Sequence, residues 1–149
     1  MAGAAFAAIN STVGSAATRT QIQVLAATVR ARVRGFTIGD TASTTAGGVR
    51  FVLDRETTAG TAVTITAANT KLDLNSPSPI TVATSTFTST EPTTGVQIVD
   101  VGFDRVGTYI LWFPPGVEPF VTTTGRLGLS KTIGADTDVW AGTLYWSED

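Results

Sequence analysis

Val29-Arg30-Ala31-Arg32-Val33-Arg34 alternates small apolar side chains with arginines, residue by residue. Successive side chains of a strand point to opposite faces, so the stretch reads as a half-buried strand with Val29, Ala31 and Val33 toward a core. Arg30, Arg32 and Arg34 then stand in a row on the other face, about 7 Å from one to the next. Gly35 follows as a bulge or bend before Phe36 and Ile38.

The same period of two recurs along the chain. Ile22 and Val24 alternate with Gln21 and Gln23, and Val49, Phe51 and Leu53 alternate with Arg50, Val52 and Asp54. Strands are also expected over Thr61 to Ala67, through Ile80, Val82 and Thr84, and around Leu127 and Leu129. Val96 to Phe103 and Val106 to Phe113 are separated by Asp104-Arg105, which suggests a hairpin. Pro114-Pro115-Gly116 forces a corner, after which Val117 to Val121 runs extended. In the last strand, Trp140, Leu144 and Trp146 share one face, and Val139, Ala141 and Tyr145 share the other. Loops fall at Gly39 to Gly48, Asn75 to Pro79 and Glu91 to Gly95. The expectation is an all-β sandwich or barrel of about nine or ten short antiparallel strands, with turn signals every 8–12 residues. No repeat of fixed period points to a propeller or solenoid.

Residues 1–18 are nearly all Ala, Gly, Ser, Thr and Asn, with Phe6, Ile9 and Val13 as scattered apolar anchors. They read as an extended N-terminal arm ahead of a single domain over 19–149. Such an arm is either a frayed tail or a strap laid across a neighbour, with Phe6 and Ile9 in shallow pockets.

Composition narrows the chemistry. At 149 residues and 42% hydrophobic content, one domain can bury a proper core. Cysteine and histidine are both absent, which removes disulfides, thiolate metal sites, the commonest metal ligand and the usual triads. Only 15% of residues are charged and the net charge is −2, so the whole molecule is no polyelectrolyte binder of nucleic acid. Lys71 and Lys131 are the only lysines among ten basic residues, as on a surface covered by other subunits or in a gene rich in arginine codons. No run approaches the ~18 apolar residues of a membrane span, and no leader pattern opens the chain. We expect a soluble chain without a cleaved signal, no membrane partner, no cofactor and no catalysis.

Three features remain as candidate sites. The arginine row Arg30, Arg32 and Arg34 suits carboxylates of a partner, or acids of this chain such as Asp54, Glu56 or Asp104 on a neighbouring strand. Trp112 and Phe113 sit at the proline corner, where aromatics make interface anchors or simply end a core strand. Asp136-Thr137-Asp138 is a fragment of a calcium-loop pattern but lacks the glycine and distal glutamate of an EF-hand. The expected metal ligands are therefore none. The acids are scattered without cleft-forming loops, and no phosphate-binding glycine motif occurs.

The stretches Ser89-Thr-Glu-Pro-Thr-Thr-Gly95, Arg105-Val-Gly-Thr-Tyr-Ile-Leu-Trp-Phe-Pro-Pro-Gly116 and Ala141-Gly-Thr-Leu-Tyr-Trp-Ser-Glu148 resemble small all-β structural proteins of tailed bacteriophages, most of all head decoration, or cement, proteins. The resemblance covers about the C-terminal half and carries no catalytic residue. It implies a jelly-roll-like fold on the outer capsid surface of a virion, commonly a homotrimer, that binds the major capsid protein and holds capsomers together. The alternative is a carbohydrate- or receptor-binding sandwich of a tail fibre or lectin-like protein, with Trp112, Trp140 and Trp146 exposed to stack on sugars.

Overall fold

A computed structural model describes residues 5–13, 19–26, 28–40, 47–73, 75–87, 90–133 and 139–149. The described residues form an all-β sandwich of eleven strands, every pairing among them antiparallel. The first sheet runs β1 (Ala5–Val13), β11 (Val139–Glu148), β3 (Ala31–Asp40), β8 (Thr108–Trp112), with β9 (Phe120–Val121) also paired to β3. The second runs β5 (Val63–Thr64), β6 (Val82–Ser85), β2 (Arg19–Leu25), β10 (Arg126–Ile133), β4 (Gly48–Glu56), β7 (Thr94–Asp104). A 3-10 turn, η1, spans Ala67–Thr70. Among the described residues no helix is long and apolar enough to cross a membrane.

The core lies between the sheets and is built by the predicted alternation. Ile22 and Val24 of β2, Phe51 and Leu53 of β4, and Leu127 and Leu129 of β10 meet Trp140, Leu144 and Trp146 of β11, all sealed from solvent. Aromatic rings pair in and beside it: Phe51 and Trp140 meet edge-on at 5.2 Å between centroids, and Phe103 stacks on Tyr109 at 5.6 Å. Such contacts add about 0.5–1.5 kcal/mol per pair beyond the area buried.

β3 shows how one bulge keeps both halves of a strand on the core. Ala31 and Val33 face inward, then Phe36 and Ile38, so the inward set changes from odd to even positions. The change falls where Val33 pairs Trp146 and Gly35 pairs Tyr145, leaving Arg34 as the extra residue of a bulge. The bend expected at Gly35 is thus a register bulge. Val29 and Arg30 lie in the bend before β3 rather than inside it.

Several expectations are corrected. Ala5–Val13 is no arm but β1, paired along its whole length with β11. Phe6 is 1% exposed, with its ring 5.7 Å from that of Trp146, and Ala8 is fully buried beside it. β1 thus closes over Trp146 through Phe6, with the small Ala8 packed into the core next along the strand. β7 and β8 are joined by a tight turn, Arg105 to Gly107, yet they do not pair as a hairpin. One chain edge enters the second sheet and the other the first, so the turn is a corner between layers. Only Val63 and Thr64 of the expected Thr61 to Ala67 strand are extended in a ladder, with η1 following.

Candidate interaction surface

The arginine row folds back onto the chain itself. Arg32 pairs with Asp149, and Arg34 pairs with Glu118 while also donating to Ser147 Oγ at 2.9 Å. Arg30 lies over the Phe120 ring, 4.9 Å from its centroid, and Arg55 approaches the same ring from the second sheet at 5.9 Å. The expected acids Asp54, Glu56 and Asp104 are not the partners. The proline corner supplies Glu118 instead, because residues 114–119 loop away from β3 between β8 and β9, with Phe113 N–H on Arg34 O and Val33 N–H on Pro119 O. Gly116, at φ +92°, turns its N–H to Glu118 Oε2 at 2.7 Å. The Glu118 carboxyl is held below its usual range, first by its own backbone N–H, then by that of Gly116 and by Arg34 and Arg32. A glutamate two residues past a Pro-Pro-Gly corner was the available signal in the sequence.

On the outer face of the first sheet, register aligns two rows across all four main strands. Ile9, Thr143, Thr37 and Ile110 form one, and Ala7, Tyr145, Gly35 and Trp112 the other. Neither row holds a charged residue. Ile9 is 67% exposed, Ile110 59% and Trp112 54%. The Trp112 ring lies across Gly35, where an added Cβ would come within 2.7 Å of it, and packs on Tyr145 at 4.8 Å between centroids. Beside it, Ile9, Thr37, Gly39, Asp40, Thr108 and Thr143 line a shallow hollow of about 240 Å³.

The predicted site residues therefore divide. Ile9 and Trp112 share this surface. Phe6 is core, so it cannot fill a pocket on a neighbour. Phe113 packs partly against the core. Trp140 and Trp146, expected to be exposed on the sugar-binding alternative, are fully buried. Ile110 and Tyr145 were missed; the period of two along β8 puts Ile110 beside Trp112, while only strand pairing brings Tyr145 there. Asp136 and Asp138 lie outside the described residues, and among the described residues no group of three or more acids is arranged to hold a metal ion.

A second unusual cluster lies on the outer face of the other sheet, under the segments 57–61 and 90–93. Glu56 Oε1 accepts from Thr20 Oγ1 at 3.2 Å, and its Oε2 accepts from Gln23 Nε2. Its carboxyl occupies the space above Gly128 that a Cβ would take, 2.1 Å from Oε1. Burial is the main cause that raises this carboxyl to about 8, and Asp54 beside it adds to the effect. Burial likewise lifts Asp54 to about 6; Thr94 offers it partial relief, short of a well-formed hydrogen bond.

No protein-family model matches this chain, and neither a curated protein nor a solved structure matches it. The fold and the surface define the class by themselves: an all-β sandwich with two uncharged, partly apolar rows on the outer face of one sheet.

Proposed function

We propose that this is a non-enzymatic structural protein of a phage virion, a decoration or cement protein that sits on the outer capsid surface and binds the major capsid protein. The observation that carries the reading is the outer face of the first sheet. Ile9, Ile110 and Trp112 are exposed together there, with threonines between them and no charge in either row. Clustered exposed apolar side chains on a sheet mark a contact surface, whereas scattered ones need no explanation. Homotrimer formation belongs to the same proposal, as does the absence of any nucleic-acid or membrane partner.

The test is co-sedimentation of the purified protein with phage heads that lack it. Ile110→Asp, which places a charge at the β8 end of the face beside Trp112, should lower head binding at least tenfold while the thermal midpoint of the free protein stays put. Normal binding by that variant would remove this face from the proposal.

A sugar-binding module is the second reading, favoured by the Trp112 ring seated on Tyr145. Since Trp140 and Trp146 are sealed in the core, a glycan-dependent change in tryptophan fluorescence would report Trp112. Loss of that change in Trp112→Phe would establish the module and displace the capsid reading.

A further inference from the structure

Glu56 is a buried carboxyl on the second sheet, and neutral groups supply both hydrogen bonds described above. The two groups that hold it also hold the chain segments lying over it. Gln23 Nε2 donates to Glu56 and, at 3.1 Å, to Thr58 O. Thr20 donates through Oγ1 to Glu56 and through its backbone N–H to Glu91 Oε2 at 2.8 Å. The overlying segments are fastened to one another by Thr57 N–H to Thr93 O, Thr61 N–H to Thr90 O, and Thr93 N–H to Thr58 Oγ1. Gly60, at φ +65°, lets them meet, since a Cβ there would stand 2.6 Å from Thr90 O.

We propose that segments 57–61 and 90–93 form a proton-controlled cover over Glu56, closed while its carboxyl is neutral and loosened when it ionises. A buried carboxylate needs several donors or water, and two neutral donors already shared with the cover do not supply that need. The charged groups around it do not favour ionisation. Asp54 neighbours it on β4, and Glu91 approaches from the cover. Arg126, its cross-strand neighbour on β10, makes no ion pair with it. Gln23 and Thr20 face it from β2, and Gly128 and Ser130 from β10, all uncharged. β7 brings Thr94 opposite it. Ionised Glu56 therefore gains most by admitting water, and the path to it runs through the cover. The raised affinity of this carboxyl for its proton agrees with that geometry and puts the transition near neutral to mildly alkaline pH.

The test is amide hydrogen exchange on the full chain at pH 6 and pH 9, with rates corrected for intrinsic exchange. Protection at Thr57, Thr61 and Thr93 should fall at least tenfold at pH 9, while Phe36 and Leu144 in the first sheet keep theirs. Glu56→Gln, neutral at both pH values, should hold the pH 6 protection throughout. The proposal is overturned if protection of the cover does not change with pH, if the first sheet loses protection equally, or if Glu56→Gln opens at pH 9 as the parent does. Asp54→Asn provides the check should Glu56→Gln fail to fold. Removing that neighbouring charge must move the midpoint of opening to lower pH, and an unmoved midpoint overturns the proposal.

Discussion

Truncating Phe6 to alanine separates a core strand from an arm more cleanly than any other change. Phe6 is 1% exposed and its ring packs at 5.7 Å on Trp146, itself sealed from solvent. If β1 is integral, Phe6→Ala removes a buried aromatic and leaves a cavity beside that tryptophan. Large-to-small changes of this kind cost about 3–5 kcal/mol. At this chain length each kcal/mol moves the midpoint by about 2–4 °C, so a drop of roughly 6–20 °C is expected. Ile9→Ala, three residues along the same strand but on the exposed face, should stay within about 0.5 kcal/mol. The pair is measured by urea denaturation followed through tryptophan fluorescence, with the denaturant slope checked for constancy. A Phe6→Ala loss below about 1 kcal/mol, or an Ile9→Ala loss equal to it, would refute the placement of β1 in the core.

Stability should also depend on pH through Glu56. Its folded-state affinity for the proton is raised from 4.5 to about 8, so its contribution is complete below about 4.5 and is lost as pH rises through about 8. The loss is at most about 5 kcal/mol, and Glu56→Gln should flatten the alkaline limb of a thermal-midpoint profile; an unchanged limb would assign the dependence elsewhere. Among the arginines, Arg34→Ala should lower the midpoint more than Arg32→Ala. The reason is that the Glu118 side chain left behind is 2% exposed and the Asp149 side chain 40%. Equal drops at low and high salt would contradict that ranking. Gly35→Ala should destabilise the first sheet, because its Cβ would lie 2.3 Å from the Leu111 carbonyl oxygen, and backbone there cannot yield without parting β8 from β3. Unchanged protection of the Trp112 and Phe36 amides in hydrogen exchange would count against it.

Local chemistry made the strands readable before any pairing was known. Alternation along Ala31 to Arg34 and along β4 and β11 states which side chains turn inward, because the period of two belongs to the strand itself. The corner at Pro114 to Gly116 was legible because proline restricts its own backbone, and a bulge or bend near Gly35 because glycine relaxes it. β1 was not legible, since alanine and threonine declare no face until Trp146 arrives to cover Phe6. Gln21, Gln23 and Asp54 alternate with core positions along their strands, yet they and Glu56 are buried. Their cover over Glu56 comes from segments 57–61 and 90–93, more than thirty residues from Gln23 in the chain. The arginines could be seen as a row, but their partners Glu118 and Asp149 are chosen by a loop excursion and by pairing with β11. Face and period are properties of adjacent residues, so sequence alone determined them. Which strands become neighbours, which edges meet at a corner and which carboxyl is shut away depend on contacts between distant residues, and only the assembled sandwich decides them.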